Sequence, residues 1–394
     1  MPLPAPEFAE VGQSYWDLVW QQYRKRTEAY IGLFLLCGLY SIALLAPLLA
    51  SNLPWIVSGP GGTSFPLIRD FFFPLSLLDR FYNCALIAVI VFLALWPLRL
   101  FKRRLQTGLF VSLAVFLLLF LVSTLVGGIN DTTNYRELKQ SNPGMTIVMT
   151  IVPYGALESS NVNNEQPPSK EHLLGCDSNG FDVLTRIIHG SRISMAVGFL
   201  AIGLAVFIGV IVGSLAGYYV GWVDLLVSRV IEVFICFPSF FLILTIIAIA
   251  PRRSIFWVMF AIGFTGWMGV ARLIRGEVLK IRALDYVQAA RAMGMGNARI
   301  VFRHILPNAL APVLVAATFG VAGAILAETG LGFLGLGVEP PTPSWGELLN
   351  QARQAPERLW WLTIYPGFMI FLSVTLMNLV GEGLRDAMDP KMRR

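Results

Sequence analysis

The side chains best suited to an electrostatic contact with another protein lie in one polar segment, residues 285–307. Arg291, Arg299 and Arg303 carry guanidinium groups, which pair readily with carboxylates or phosphates. The segment contains no nucleophile beside a base and no group of metal ligands. The chemistry that these residues indicate is therefore binding rather than catalysis.

The rest of the chain offers no catalytic constellation either. The three histidines, His172, His189 and His304, fall in three different segments, and the four cysteines have no metal or disulfide spacing. A phosphate-binding loop of the type GxxxxGK[ST] is absent, as are HExxH and GxSxG. We expect a chain that is not an enzyme and holds no cofactor or metal of its own.

Composition indicates a membrane protein. Of the 394 residues, 56% are hydrophobic and only 14% are charged, whereas soluble domains carry about 25% charged residues. The net charge of +6 comes from basic residues in short loops between apolar runs. That distribution fits membrane orientation and argues against a nucleic-acid partner.

Eight stretches have roughly the 20 apolar residues that a membrane-spanning helix needs. The first follows Arg24–Arg26 and lacks a small-residue cleavage site, so we interpret it as a signal anchor that stays in place. The predicted spans are 29–50, 81–98, 108–128, 193–217, 230–250, 254–272, 309–327 and 360–380.

Lys and Arg orient these spans with the N-terminus in the cytoplasm. The predicted cytoplasmic segments are then 1–28, 99–107, 218–229, 273–308 and 381–394. The opposite orientation would place the arginine-rich segment outside. We therefore expect residues 273–308 to form a cytoplasmic loop between the sixth and seventh spans.

Within this loop, apolar residues recur at helical spacing from Val287 onward. Gly294 and Gly296 divide the pattern into two short helices, and Pro307 marks the start of the next span. Two interpretations remain open on these residues alone. The loop is either a rigid lever held by a partner or a basic helix lying on the membrane surface.

The sequence of this loop, "QAARAMGMGNARIVFRHILPN", resembles the E-A-A-x-x-x-G…L-P motif in permease subunits of binding-protein-dependent ABC importers. Four further stretches are similar to the peptide/nickel group of these permeases. The resemblance covers about residues 15–55 and 172–394, and those stretches are "YRKRTEAYIGLFLLCGLYSIALLAPLLA", "LLGCDSNGFDVLTRIIHGSRISMAVG", "AILAETGLGFLGLGVEPPTPSWGELL" and "YPGFMIFLSVTLMNLVGEGLRDAMDPKMR".

The resemblance implies an all-α polytopic protein of the bacterial inner membrane with a type I importer core of six helices. Two extra spans within 81–128 make a total of eight. We divide the chain into the N-terminus and first span (1–55), an insertion (56–171) and the permease core (172–394). The inserted hairpin is either a lipid-facing addition or a docking element, and we favour the first interpretation.

The resemblance also implies partners: a second, similar permease, two ATPases that hold ATP and Mg²⁺, an extracytoplasmic solute-binding protein, and lipid. It implies short peptides as cargo, with nickel or another small solute as an alternative. An ion-coupled secondary transporter is the rival class. The residues expected to contact an ATPase are Asp285, Gln288, Ala289, Ala290, Gly294, Arg299, Leu306 and Pro307.

One departure from the motif affects its chemistry. Gln288 stands where the motif has Glu, so a negative charge at this position cannot contribute to coupling. The amide keeps both a hydrogen-bond donor and an acceptor. We therefore expect coupling to survive.

Three acidic residues are candidates for a gate or for contact with a docked binding protein. Asp177 and Asp182 lie in an outer turn that we expect to cap a helix starting near Phe181. Their spacing does not match a calcium loop of the EF-hand type. Glu328 is either an exposed cap at the outer end of the seventh span or a residue of the gate.

Overall fold

The computed structural model describes residues 15–59, 62–95, 105–128, 131, 133–142, 144–159, 164–251 and 253–389. The helices are α1 Tyr15–Lys25, α2 Thr27–Leu49, α3 Pro66–Phe72, α4 Leu77–Leu95, α5 Leu105–Val126, α6 Tyr135–Ser141, α7 Val183–Tyr219, α8 Trp222–Ile235, α9 Ser239–Ile249, α10 Ile255–Arg282, α11 Asp285–Ala292, α12 Asn297–Ile300, α13 Leu306–Phe333, α14 Trp345–Ala352 and α15 Trp361–Met388.

The predicted spans have counterparts among these helices. In the described part of the chain, seven helical segments are long and apolar enough to cross a membrane, and α8 with α9 forms an eighth candidate. The fifth span is not the straight helix that we predicted for 230–250. α8 and α9 are bent by 85° around Pro238, whose ring disfavours helical backbone in the residue before it.

α7 is also longer than predicted. Its 37 residues give a length of about 55 Å, against roughly 30 Å of hydrocarbon in a bilayer. Its apolar run starts near Ile193, so the preceding turns, which contain Arg186 and Arg192, extend beyond the apolar part. The last ten residues of the outer segment, 183–192, thus form one continuous helix with the span.

The chain packs as two compact units that do not follow the sequence-based division. The first consists of residues 1–38, 196–328 and 370–394, and the second of 39–195 and 329–369. α2, α7, α13 and α15 each contribute residues to both units.

In the first unit, α7 and α10 pack through glycines at helical spacing. Gly209, Gly213 and Gly217 lie on one face of α7, and a Cβ atom on Gly213 would come within 2.4 Å of the carbonyl oxygen of Ala271. Small residues at this spacing let membrane helices approach closely. The two helices can come this close because these positions carry no side chain.

The amphipathic helix α1 is fixed in the first unit by α2 and α15. Val19 and Tyr23 are buried against Ala29 and Ala387, and the guanidinium of Arg26 lies 2.6 Å from the carboxylate of Asp386. The N-terminal segment is therefore attached to the last helix of the chain.

The second unit contains a small sheet that the sequence analysis did not predict. Strands Ile56–Gly59 (β1), Gly62–Ser64 (β2) and Thr146–Val148 (β3) form an antiparallel sheet in the order β2-β1-β3. Its strands come from both ends of the insertion, and Ile147 is buried. The part of the insertion after the hairpin thus contributes one strand to a sheet whose other two strands lie before the hairpin.

The inserted hairpin consists of α4 and α5, which pack on each other. Leu113, Leu117, Leu121 and Leu125 on α5 are exposed, as a lipid-facing helix requires. Most of the basic turn at 98–105 lies outside the described residues. Whether the hairpin docks a partner stays a prediction.

Candidate functional site

Within the segment 285–307, α11 is a separate short helix as predicted, whereas α12 continues through a π-helical turn into α13, and α11 has two distinct faces. Val287 and Ala290 are 0% and 2% exposed, whereas Asp285, Gln288 and Ala289 are exposed. The buried pair attaches the helix to its own chain. The exposed residues are left available to another protein.

The buried face of α11 contacts two long helices of the first unit. Val287 and Ala290 belong to one apolar cluster, which also contains Ile274 and Val278 of α10 and Ala309 of α13. Side chains in such a cluster are close-packed, so displacement of one is transmitted to its neighbours. A force applied to α11 would therefore act on both α10 and α13.

The turn after α11 depends on glycine. Gly294 has φ +77°, a left-handed conformation that residues with a Cβ atom rarely adopt. Its N–H donates to the carbonyl of Arg291 at 3.0 Å, and that of Met295 donates to the carbonyl of Ala290 at 3.2 Å. This pair of hydrogen bonds is a Schellman motif, which ends α11 and redirects the chain.

Gln288 uses its amide as a donor. Its Nε2 donates to the carbonyl oxygen of Arg282, the last residue of α10, at 2.8 Å. An ionised glutamate has no proton to donate at this position. The departure from the motif therefore adds a contact between α11 and the end of α10.

The cytoplasmic end of α7 is joined to the same segment through Tyr218. Its hydroxyl donates to Asn297 Oδ1 at 2.8 Å, and its carbonyl accepts from Arg282 Nη1 at 2.9 Å. The guanidinium of Arg291 lies 5.5 Å from the centre of the Tyr218 ring. Three long helices thus contact the 285–307 segment.

The remaining predicted residues of the segment lie at its C-terminal end. Arg299 is exposed on α12, and a single π-helical turn, Val301–Ile305, joins α12 to α13. α13 begins with Leu306, and Pro307 is its second residue, directly after the π-helical turn in a helical stretch that runs from Asn297 to Phe333. Their roles toward an ATPase stay predictions.

The candidate outer residues Asp177 and Asp182 are buried and engaged. Asp182 Oδ1 accepts from the N–H of Thr185 at 2.8 Å and caps α7, which confirms the expected cap. Its other oxygen lies 2.9 Å from Nδ1 of His172. Contact with a docked protein is untested, and both carboxylates face inward.

The structure excludes one of the two interpretations of Glu328. It is 0% exposed within α13, so the interpretation as an exposed cap is wrong. The helix continues five residues further, to Phe333, and this continuation is why Glu328 is not at its surface end. A role in gating stays a prediction.

The sequence analysis missed a buried charge network in the second unit. Arg186 Nη2 donates to Glu347 at 2.7 Å, and its Nε lies 3.3 Å from Asp177. Burial raises the pKa of Asp177, and Arg186 opposes this shift. Gln351 Nε2 also donates to Asp177, at 3.2 Å. Charged residues flanking an apolar run were the only sequence signal.

A second missed feature is a polar cavity of about 370 Å³ in the second unit. Arg192, which is 1% exposed, donates to Asp79 at 2.7 Å and Asn83 at 2.8 Å in its wall. Burial, followed by the carboxylates of Asp79 and Asp131, raises the pKa of Asp70 to about 6. The charged and titratable residues around the cavity are Asp70, Asp79, Asp131, Glu158, His189 and Arg192.

Among the described residues, no group of three or more His, Cys, Asp or Glu side chains is arranged to hold a metal ion. The candidate functional features are therefore the 285–307 segment and the charged groups around Arg186 and Arg192.

Two family models match parts of this chain. Residues 209–394 match the family model described as binding-protein-dependent transport system inner membrane component. Residues 14–57 match the N-terminal transmembrane domain of oligopeptide transport permease C.

This chain aligns with most of the length of several relatives. A dipeptide transport system permease protein, DppC, of Alkalihalophilus pseudofirmus is 44% identical over 236 residues, which are 60% of this chain and 77% of the relative. A glutathione transport system permease protein, GsiD, of Pectobacterium atrosepticum is 38% identical, covering 62% of this chain and 81% of the relative.

An oligopeptide transport system permease protein, OppC, of Bacillus subtilis is 34% identical, covering 66% of this chain and 88% of the relative. Among solved structures, an inward-facing MetNI methionine ABC transporter aligns with a TM-score of 0.41 and 18% identity, covering 50% of this chain and 96% of that chain. Given the 44% identity across most of a known permease, this chain belongs to the family of inner-membrane components of binding-protein-dependent transport systems.

Proposed function

We propose that this multi-pass inner-membrane protein is one permease subunit of an ATP-driven importer of di- and oligopeptides. Relatives at 34–44% identity are named as dipeptide and oligopeptide transport permeases, which supports this cargo class. Separate ATPases bind ATP and Mg²⁺, a second permease completes the transport path, and a solute-binding protein delivers the peptide.

The proposal rests on helix α11, which has one buried and one exposed face. Its exposed face presents Gln288 and the small Ala289, which allows a partner's backbone to come close. Its buried face contacts α10 and α13. A membrane-surface helix would present its apolar residues to lipid, whereas Val287 and Ala290 of α11 are covered by the chain itself and Tyr286 is left 45% exposed. This favours the lever over the interfacial helix.

Transport then follows from rigid coupling. When the ATPases close on ATP, the two cytoplasmic levers move together and tilt the helices attached to them. The path opens outward, and hydrolysis resets it. Residues 285–307 bind the ATPase and transmit its motion to the attached helices. This chain transfers no proton and makes or breaks no covalent bond.

Uptake by the reconstituted assembly tests the function. The permeases, ATPases and binding protein are placed in vesicles, and uptake of a labelled tripeptide is measured with ATP and with ionophores that remove ion gradients. We expect uptake to need ATP and to persist without gradients. Uptake that requires a gradient and not ATP would favour the secondary transporter.

A matched pair of variants tests the lever. Ala289→Leu enlarges the exposed face of α11 and should abolish the stimulation of ATP hydrolysis by peptide-loaded binding protein. Ala114→Leu makes the same change at an exposed position on the inserted hairpin and should leave stimulation intact. Equal effects of the two variants would argue against ATPase contact at α11.

A further inference from the structure

An ion pair lies on the exposed side of α8, away from the 285–307 segment. Arg229 Nη1 and Glu232 Oε2 are 2.6 Å apart, and the two side chains are 68% and 58% exposed. Arg229 ends the predicted cytoplasmic segment 218–229, and Glu232 lies about one helical turn further along a helix that belongs to a candidate membrane span. Their exposed neighbours on α8 include Leu226 and Val233, so two charges on this side need water or polar groups nearby.

The opposite side of α8 is its packing face. Ile231 is 2% exposed and lies in a cluster with Trp267, Met268 and Ala271 of α10. With 3.6 residues per turn, Arg229 lies about 160° and Glu232 about 100° around the helix from Ile231. The pair thus points away from the first unit's own core.

The contacts of α8 along α10 give the level of the pair in the membrane. Asp224 accepts from Arg275 Nη2 at 2.8 Å, near the basic end of α10. Further along α8, the ring of Phe234 lies 6.3 Å from Phe264 and 6.4 Å from Trp267. α8 therefore runs from the cytoplasmic boundary into the apolar part of α10, and the pair lies between these levels.

Charge is disfavoured on the lipid-facing side of a spanning helix. The cost is about 2.5–3.5 kcal/mol at the centre of the helix and falls toward its ends, and charged residues in spans usually face an aqueous path or the interior of a bundle. The chain also breaks just beyond the pair, at the 85° bend before α9. Broken helices of this kind are used by transporters to build their substrate sites.

We propose that Arg229 and Glu232 line the transport path and bind the two charged ends of a peptide cargo. This inference rests on the proposed function. Glu232 accepts hydrogen bonds from the α-ammonium group, and Arg229 donates to the α-carboxylate. In the absence of cargo, each residue neutralises the other.

The spacing of the pair suits a short peptide. Side chains three residues apart on a helix have Cβ atoms about 5–6 Å apart. An extended tripeptide spans at most about 10–11 Å, a distance that the long Arg and Glu side chains reach by swinging apart. A longer peptide would engage one of the two residues at a time.

Thiol labelling tests the position. Glu232→Cys and Val230→Cys are compared in the reconstituted assembly after the exposed Cys37 and Cys236 are replaced by serine. Val230 is 39% exposed and lies two residues before Glu232, which places it about 160° around the helix from that residue. A charged methanethiosulfonate should modify Glu232→Cys, and saturation with tripeptide-loaded binding protein plus ATP should slow that reaction at least fivefold.

Val230→Cys should show no slowing by peptide. An unreactive Glu232→Cys variant would mean that lipid or the second permease covers this face, and the inference would be overturned. A reactive variant that peptide does not shield would overturn it equally.

Transport kinetics give a second readout. Glu232→Gln should raise the KM for tripeptide uptake about tenfold in an assembly of normal composition. Glu277→Gln is the matched control, because Glu277 also pairs three residues away, with Lys280 at 3.7 Å. It should leave KM unchanged.

The inference and the proposed function fail in different ways. If the wild-type assembly takes up peptide with ATP but Glu232→Gln behaves like Glu277→Gln, only the inference is lost. If the wild type takes up no peptide, the proposed function is lost, and the inference falls with it.

Discussion

Arg186 and Glu347 are joined by a hydrogen bond of 2.7 Å although their side chains are only 1% and 7% exposed. Asp177 lies on the other side of the guanidinium and is 0% exposed. A buried guanidinium between two carboxylates fixes the loop before α7 and the helix α14 within the second unit. The pairing joins residues 161 positions apart in the sequence.

Replacing this arginine should be strongly destabilising. Arg186→Met leaves two buried carboxylates without their cation, and removing one partner of a buried pair costs about 3–5 kcal/mol. Thermal unfolding of the purified protein, followed by tryptophan fluorescence, measures the loss. Arg358→Gln is the control, since Arg358 pairs with Glu165 at the surface and should contribute less than about 1 kcal/mol. Similar losses in both variants would contradict the buried network.

A methyl group at the α7–α10 contact should disrupt packing in the first unit. Gly213→Ala places a Cβ atom 2.4 Å from the carbonyl of Ala271, and overpacking of this kind costs about 1–3 kcal/mol. Gly203 lies on the same helix, and a Cβ atom added there would have no neighbouring atom within 4 Å. Gly203→Ala should therefore be neutral or stabilising. Unfolding midpoints of the two variants give the comparison, and an unchanged midpoint for Gly213→Ala would refute the close approach.

The turn after α11 should tolerate alanine at only one of its two glycines. Gly294→Ala forces a residue with a Cβ atom into φ +77°, at a cost of about 1–2 kcal/mol. Gly296 has φ −63°, so Gly296→Ala carries no such strain. Hydrogen exchange in α11 should be faster in Gly294→Ala alone, and stimulation of the ATPase should fall with it. Equal exchange rates would show that the left-handed turn is not required.

Restoring the acidic residue of the motif should weaken a local contact. Gln288→Glu removes the Nε2 donor to the carbonyl of Arg282 and places a carboxylate beside that oxygen. Because the site is exposed, we expect a loss of about 0.5–1.5 kcal/mol in local stability, read as faster exchange of α11 amides. Gln288→Ala removes the donor without adding charge and should lose no more than Gln288→Glu. Slower exchange in Gln288→Glu would contradict the donor role.

The cavity in the second unit should make stability depend on pH through Asp70. Its pKa of about 6 lies above the value near 3.9 of an unfolded chain, so its contribution is full below about pH 4 and is lost as pH rises through 6. The shift corresponds to at most about 3 kcal/mol. Asp70→Asn should therefore raise the melting temperature relative to wild type at pH 7.5 and not at pH 4.

Asp131, in the wall of the same cavity, provides the opposite control. Burial raises its pKa, but hydrogen bonds from Thr133 and Tyr135 outweigh burial and lower it overall. Its contribution to stability is therefore present above the unfolded pKa and lost as pH falls. Asp131→Asn should lower the melting temperature at pH 7.5. Parallel pH trends for Asp70→Asn and Asp131→Asn would rule out this assignment.

Much of the fold was predictable because its determinants are local. A span is a run of about 20 apolar residues, and the two helices of the 285–307 segment are separated by Gly294 and Gly296, whose effect on the backbone needs no distant partner. The bend at Pro238 was also encoded locally, but the apolar run across it hid the break. The β1–β3 pairing joins residues from opposite ends of the insertion, and its short strands gave no pattern.

The sequence by itself determined the membrane class, the succession of spans and the position of the polar 285–307 segment between two of them, since hydrophobic runs, glycines and prolines act over a few residues. Only the tertiary structure decided that Ala290 is buried while Ala289 is exposed, that Arg186 lies between Asp177 and Glu347, and that Arg229 and Glu232 point away from the core. These relationships depend on which helix packs against which face, and that choice is made by contacts between residues far apart along the chain.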